Sequence, residues 1–283
     1  MSLDVGVVGQ PWPPEPRTWS SSDALLYALG VGAGSDERFD ELAFVTENSA
    51  GRPQQVLPSF VVTLASLGLD PRLGGFELSQ VLHAGMEIEL RAALPPEGSV
   101  EADTVAEAIL DKGRDAIVVL RTTLRDPHTG APVAVTRSTS LVLGEGGFGG
   151  GRGPAPAEWR LPARDPDASL RMETRVEQAL LYRLSGDRNP LHSDPVAAAR
   201  AGFPRPVLHG LCTFGVAARA LLHAYAGGDP GRFGRMGVRF TAPVYPGQDL
   251  LVNVWKTGGG VQFQARAGDR VVLDRGVFAL RAS

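Results

Sequence analysis

Two stretches lying half a chain apart spell nearly the same thing, and that echo limits the fold more than any other feature. Ala24-Leu25-Leu26-Tyr27-Ala28-Leu29 returns as Ala179-Leu180-Leu181-Tyr182-Arg183-Leu184, an offset of 155. Val56-Leu57-Pro58-Ser59-Phe60 returns as Val207-Leu208-His209-Gly210-Leu211, an offset of 151. An indel of four residues between the blocks reconciles the two. A period this long is not a solenoid. It implies two copies of one fold. The joint is expected in GEGGFGGGRGPAPA, residues 144–157, where glycine followed by proline reads as a linker. The expected layout is therefore a repeat over 1–143, a linker over 144–157 and a second repeat over 158–283. A phosphate-binding loop is the sharper reading of these glycines, but no Lys-Ser/Thr follows them and no helical pattern starts there.

The local patterns repeat as well. In the second copy, Asp194-Pro195 starts a short helix that Gly202 stops. A longer apolar helix is expected from Gly210 to Tyr225, with strands at Met236–Pro243, Leu250–Lys256, Val261–Ala267 and Val271–Leu280. The first copy should match it, with a helix over Val56–Leu67 and strands at Met86–Leu94, Thr104–Leu110, Ala116–Leu124 and Ala131–Leu143. One apolar helix followed by an antiparallel meander is what a sheet wrapped around a helix needs. The fold class is α+β, and the wrapped helix should be apolar nearly all round.

The densest polar cluster is YRLSGDRNPLHSDP, residues 182–195. Pro190 disfavours helical geometry at Asn189, so residues 186–192 should form a loop, and loops on rigid scaffolds often hold catalytic groups. Asp187, Asn189, His192 and Asp194 crowd this segment. A carboxylate and an imidazole together can pass protons to and from a shared water. At offset 155 Asp187 falls opposite Gly32, so the first copy lacks the acid. It is free for another task, such as accommodating a ligand tail. Gly210 stands at the start of the long helix, where free N–H groups and the helix dipole favour negative charge and a missing side chain admits a carbonyl oxygen. That is an oxyanion hole for a thioester enolate.

These residues resemble the signature of the (R)-specific enoyl-CoA hydratases, the MaoC-like dehydratases of hot-dog fold: an aromatic residue, then Ser-Gly-Asp-x-Asn-Pro-Leu/Ile-His-x-Asp. LLYALGVGA (25–33), QVLPSF (55–60), LDKGRDAIV (110–118), GEGGFGG (144–150), LHGLCTFG (208–215) and VRFTAPVYPGQ (238–248) are similar to the two-copy members, including the hydratase part of peroxisomal multifunctional enzymes. The resemblance implies a double hot-dog. It makes Asp187 and His192 catalytic, with Asn189 and the loop residues Pro190 and Leu191 lining the thioester site. Gly210 becomes the oxyanion donor and Phe240 part of the acyl-CoA site. Lys112 is similar to a family lysine that contacts CoA. His83 matches the histidine of a family Leu-His-Gly-Glu-Gln stretch that reads Leu-His-Ala-Gly-Met here, a departure at Ala84, Gly85 and Met86. The implied reaction is addition of water to a trans-2-enoyl-CoA, giving a (3R)-3-hydroxyacyl-CoA. It needs no metal or organic cofactor, since CoA is part of the substrate. Two-copy members are typically homodimers.

Blander readings stand beside these. Asp187 can brace a turn, and His192 can bond nearby backbone. Asp194 reads as a helix cap. Arg188 is as well explained by the surface as by a CoA phosphate, Lys112 by a turn and Phe240 by the core. A metal set from Asp187, His192, Asp194 and His209 lacks any His-x₃-His spacing. Cys212 beside His209 suggests a thiol nucleophile, but its place on the wrapped helix favours a small core residue. Rival functions are an acyl-CoA thioesterase and a non-catalytic acyl-CoA-binding subunit. The same chemistry run in reverse would make a dehydratase of β-hydroxyacyl thioesters.

Composition narrows the setting. Net charge is −3, so no basic field argues for nucleic acid or an anionic membrane. No run approaches the roughly 18 apolar residues of a membrane span. A single cysteine allows no intramolecular disulfide and suits a reducing compartment. The first residues lack a basic, apolar leader pattern and the last three are not a Ser-Lys-Leu type signal, so a cytoplasmic location is expected.

Overall fold

The computed structural model describes residues 3–35, 37–65, 70–77, 80–154 and 159–282. Ten strands make one continuous sheet: β1 (Glu15–Trp19), β2 (Val81–Leu90), β3 (Gly98–Asp111), β4 (Ala116–Arg125), β5 (Pro132–Val142), β6 (Ala168–Met172), β7 (Phe233–Phe240), β8 (Leu250–Thr257), β9 (Gly260–Ala267) and β10 (Arg270–Leu280). Their order is β1-β3-β4-β5-β2-β7-β10-β9-β8-β6. From either edge inward the order is first, third, fourth, fifth and second strand of that half, so the halves share one topology. They join where β2 pairs antiparallel with β7, Met86 opposite Val238 and Ile88 opposite Met236.

Helices α1 (Ser21–Gly30), α2 (Leu42–Val45), α3 (Val61–Leu64), α4 (Gln178–Tyr182), α5 (Pro195–Arg200) and α6 (Gly210–Ala226) pack on this sheet. A capping box starts α1: the Ser20 hydroxyl accepts from Asp23 N–H while the Asp23 carboxylate accepts from Ser20 N–H. The echoing motifs end as α1 and α4, and their tyrosines meet: the Tyr27 and Tyr182 rings lie 5.9 Å apart. Asp194 caps α5 by accepting from Val196 N–H at 2.8 Å, as expected.

Helix α6 runs through the second half's sheet. Leu211 through Leu222 are buried without a break, so nearly the whole circumference faces protein. Fully burying side chains such as Phe214, Leu221 and Leu222 stabilises by roughly 1.5–3 kcal/mol each. Gly215 lets α1 approach, since a Cβ there would meet Val31 Cγ1 at 2.5 Å. One residue breaks the expected apolar circumference. Arg219 is 1% exposed, donates to the Val31 carbonyl at 2.9 Å and pairs with buried Glu41 at 3.2 Å. Glu41 also meets His223 of α6 at 2.9 Å, so the buried charge ties the long helix to the first half.

The first half departs from expectation. In place of a helix over 56–67, a 3₁₀ turn at Pro58–Phe60 leads into the four residues of α3, and Ala65 is already extended. Val61, Val62 and Thr63 are β-branched and lose rotamer freedom in a helix, so nothing local sustains it. Residues 66 and 67 lie outside the described residues. Strand β2 starts at Val81 rather than Met86, because pairing with β5 and β7 on either side overrides weak local propensity. Strand β3 runs well beyond Thr104–Leu110, and the edge strands β1 and β6 add to the expected set. The Gly-rich stretch is anchored over its first part. Gly147 N–H and Gly149 N–H donate to the Asp111 carboxylate at 3.0 and 2.7 Å, and Gly144 N–H to Asp115 at 2.9 Å. These bonds hold the Asp111 carboxyl below its usual pKa. Residues 155–157 of the expected linker lie outside the described residues.

Candidate active site

The loop after α4 builds its own geometry from side chains bonding two residues ahead. The Asp187 carboxylate accepts from Asn189 N–H at 3.1 Å, and the Asn189 side-chain oxygen accepts from Leu191 N–H at 3.0 Å. Asn189 thereby caps a 3₁₀ turn, Pro190–His192, whose fixed proline φ suits the first position. The turn presents His192, 9% exposed, toward Asp187. His192 Nδ1 lies 2.9 Å from the Val207 carbonyl. A carbonyl only accepts, so Nδ1 carries the proton and Nε2 keeps its lone pair. Burial lowers the His192 pKa from 6.5, opposed by the Val207 bond and the Asp187 charge, so the ring is neutral at pH 7.

A third group joins this pair. Ligating atoms of Asp187, His192 and His209 all lie within 4.8 Å of one another. A water bonded to a carboxylate and to an imidazole nitrogen at ordinary hydrogen-bond lengths spans a gap of that size. His209, 1% exposed, stacks on His192 with centroids 3.7 Å apart and planes 27° from parallel. Its Nε2–H donates to the Asp187 carbonyl at 3.1 Å, and burial drives its pKa down to about 3.

Asp187 and His192 open on a cavity of about 580 Å³ that also takes in Asn189, Leu191, Gly210, Phe240 and His83. That volume suits a small-molecule site. Gly210 begins α6, His209 provides no side-chain cap for the first N–H groups of the helix, and Gly210 and Leu211 line the cavity. A Cβ at Gly210 would lie 3.4 Å from the Phe240 ring. His83 reaches the same cavity from β2, its ring 4.8 Å from Phe240 and Nε2 3.1 Å from the Ser138 hydroxyl. Burial lowers the His83 pKa to about 4. The Ala84-Gly85-Met86 departure therefore leaves His83 in the cavity wall.

Other expected residues fall elsewhere. Arg188 and Pro190 are exposed at the loop surface, and neither lines the cavity. Lys112 sits in the β3–β4 turn, outside the cavity wall, with its ammonium on the Arg152 carbonyl. Cys212 is buried and donates to the Gly30 carbonyl at 3.4 Å, and burial pushes its thiol up, so it is core rather than nucleophile. The missed feature is the stacking of His209 on His192. Its only signal was its place just before Gly210.

A carboxylate and a neutral imidazole face one cavity beside an uncapped helix start on a double hot-dog, and groups of these two types can carry general acid–base chemistry. Comparisons carry this further. Residues 159–274 match the MaoC like domain and residues 18–144 the MFE-2 hydratase 2 N-terminal domain. The chain is 46% identical to 3-hydroxyacyl-thioester dehydratase Y of Mycobacterium tuberculosis, covering 98% of each chain. It is 44% identical to enoyl-CoA hydratase ChsH3 of the same organism over 91% of each. The crystal structure of a MaoC-like dehydratase from Phytophthora capsici superimposes with a TM-score of 0.87, at 31% identity and 99% coverage of both chains. The chain belongs to the MaoC-like dehydratases, in the two-domain branch that carries the hydratase 2 N-terminal domain.

Proposed function

We propose that this protein hydrates trans-2-enoyl-CoA thioesters to (3R)-3-hydroxyacyl-CoA, and dehydrates them in reverse, with a water held between Asp187 and His192. The carrying observation is the pair within 4.8 Å, facing one cavity under the start of α6. In the forward direction the water oxygen attacks the β-carbon as one of the pair takes its proton. A proton delivered on the same face by the pair completes the addition at the α-carbon. The negative charge that grows on the thioester oxygen meets the Gly210 N–H, a donor typically worth about a hundred- to a thousand-fold. His192, neutral with a free Nε2, is suited to the base role. Both proton transfers are met by side chains, so no metal or organic cofactor is required, and activity is expected to survive chelation.

The same reading divides the chain. The repeat over 1–143 accommodates the acyl tail and the repeat over 158–283 carries the chemistry, joined through 144–157. Arg188 and Lys112 are proposed as cationic contacts of the CoA phosphates, and a charge reversal at either is expected to raise KM rather than lower kcat. A homodimer is proposed, to be read by light scattering. No described helix is long and apolar enough to cross a membrane. A cytoplasmic location is proposed on the strength of the single, buried Cys212, to be checked by imaging a fluorescent fusion.

The test is pure protein with crotonyl-CoA and longer enoyl-CoA chains, followed by loss of the enoyl chromophore and chiral analysis of product. Release of free CoA thiol instead would establish a thioesterase. An inert protein that still binds the thioester would establish a binding subunit.

A further inference from the structure

The two halves differ in what their inward sheet faces carry. In the second half that face is apolar: Val261, Phe263 and Ala265 on β9, Leu273 and Phe278 on β10, all buried in the main core around α6. The matching face of the first half is not. Along β5 the inward residues run Ala134, Thr136, Ser138, Ser140, Val142, and along β4 they run Val118, Leu120, Thr122, Leu124. Ala134 and Leu124 belong to the main core, whereas Val142, Val118 and Leu120 belong to a smaller cluster with Trp12 and Ile109. A band of hydroxyls separates the two.

That band lines the cavity containing Asp187 and His192. Two of its hydroxyls have partners: Thr122 meets Thr104 at 2.9 Å, and Ser138 meets His83 at 3.1 Å. Among the described residues, the hydroxyls of Thr136 and Ser140 have no protein partner, although the residues are only 2% and 6% exposed. Covering such a hydroxyl with hydrocarbon removes its water and gives no bond in return. A face built for a plain alkyl tail has no use for it, and the second half shows that this fold readily makes the same face apolar.

Position follows from the sheet. Phe240 on β7 touches the space beside Gly210, His83 is one strand further on β2, and the hydroxyls of β5 are one strand beyond that. Two strand spacings are about 10 Å. We propose that Thr136 and Ser140, four residues and about 13 Å apart along β5, are two separate contacts, either of which can meet a hydrogen-bonding oxygen, a hydroxyl or a carbonyl, on the distal part of the acyl tail. The substrate class is then oxygenated enoyl thioesters rather than plain hydrocarbon ones. The inference rests on the hydratase reading. A side-chain hydroxyl both donates and accepts, so either oxygen function satisfies it.

The test uses the full chain with three probes. Crotonyl-CoA, too short to reach β5, reports the chemistry. Trans-2-decenoyl-CoA and its mono-hydroxylated counterparts, the hydroxyl moved along the distal half of the tail, report the band. One net hydrogen bond near 1 kcal/mol corresponds to about fivefold in kcat/KM, and the best-placed hydroxyl is expected to win by at least that. Thr136→Val combined with Ser140→Ala should bring the hydroxylated-to-plain ratio to unity, while Thr136→Ser should keep it. If the plain chain outruns every hydroxylated one, or the ratio survives the double variant, both contacts are overturned while crotonyl-CoA turnover leaves the hydratase reading standing. A wild type inert toward all three overturns both.

Discussion

The halves of this molecule share a strand order and differ in what fills the sheet. The second half wraps its strands around the 17 residues of α6, buried from Leu211 to Leu222. In the first half the corresponding segment stops after the four residues of α3, and its sheet faces the cavity. The filled copy supplies rigidity: a helix start fixed well enough to aim Gly210 N–H and to seat His209 under His192. The unfilled copy supplies room. The same contrast holds at the loops. Where the second half has Asp187, the first has Gly32 at φ 81°, and a Cβ there would lie 2.8 Å from Arg219 Nη1. One position puts a carboxylate on the cavity and its counterpart makes space for a buried guanidinium.

Substitutions can break this division, the largest effect coming from the chemistry. Asp187→Asn and His192→Gln are each expected to lower kcat for enoyl-CoA hydration by about a hundred- to ten-thousand-fold with little change in melting temperature, the range of a general acid–base pair. Near-normal rates in either would remove the second half's claim to the reaction. Gly210→Val tests the helix start. With a Cβ already 3.4 Å from Phe240, its methyl groups fill the carbonyl pocket, and turnover should fall about a hundred-fold or more. An unchanged kcat would move the oxyanion site elsewhere.

The counterpart substitution in the first half should act on stability. Gly32→Ala forces a side chain into left-handed backbone against Arg219 and is expected to cost about 1–3 kcal/mol in denaturant unfolding, while kcat per folded molecule holds. A loss of kcat without loss of stability would mean that this loop serves catalysis too.

Acid sharpens the contrast more gently. His83 and His209 have folded pKa values near 4 and 3, below the unfolded 6.5. Below pH 6.5 the unfolded chain binds the extra protons first. Stability is therefore complete above that pH and lost as pH falls toward the folded values, by up to about 1.4 kcal/mol per pH unit for each histidine. Unfolding free energies between pH 7 and 4 should show this slope, and His209→Gln should flatten it. The same direction of shift at His192 places the acid limb of kcat/KM below pH 6.5, and a limb above it would contradict a buried neutral base.

What could be read without coordinates follows a physical rule. The candidate active-site loop was legible because its bonds span two residues: Asp187 to Asn189, Asn189 to Leu191, with Pro190 between. Such local bonding leaves a signature in residue type and order. The long helix was legible for a similar reason, its apolar circumference being written continuously in GLCTFGVAARALL. Arg219 was not, because its partner Glu41 is 178 residues away in the chain and nothing local announces the pairing.

Tertiary structure alone decided the rest. A strand pattern of period two tells which residues face inward but not which strand lies alongside. Only the β2·β7 pairing brings His83 within reach of Phe240 and lets the hydroxyls of β5 share a cavity with Asp187. Only the fold stacks His209 on His192, and only the fold leaves Lys112 on the Arg152 carbonyl outside the cavity. Local hydrogen bonds and helical periodicity are properties of short segments, so this chain's sequence determined its loop and its central helix. The meeting of its halves depends on contacts between residues far apart in the chain, and those exist only once it has folded.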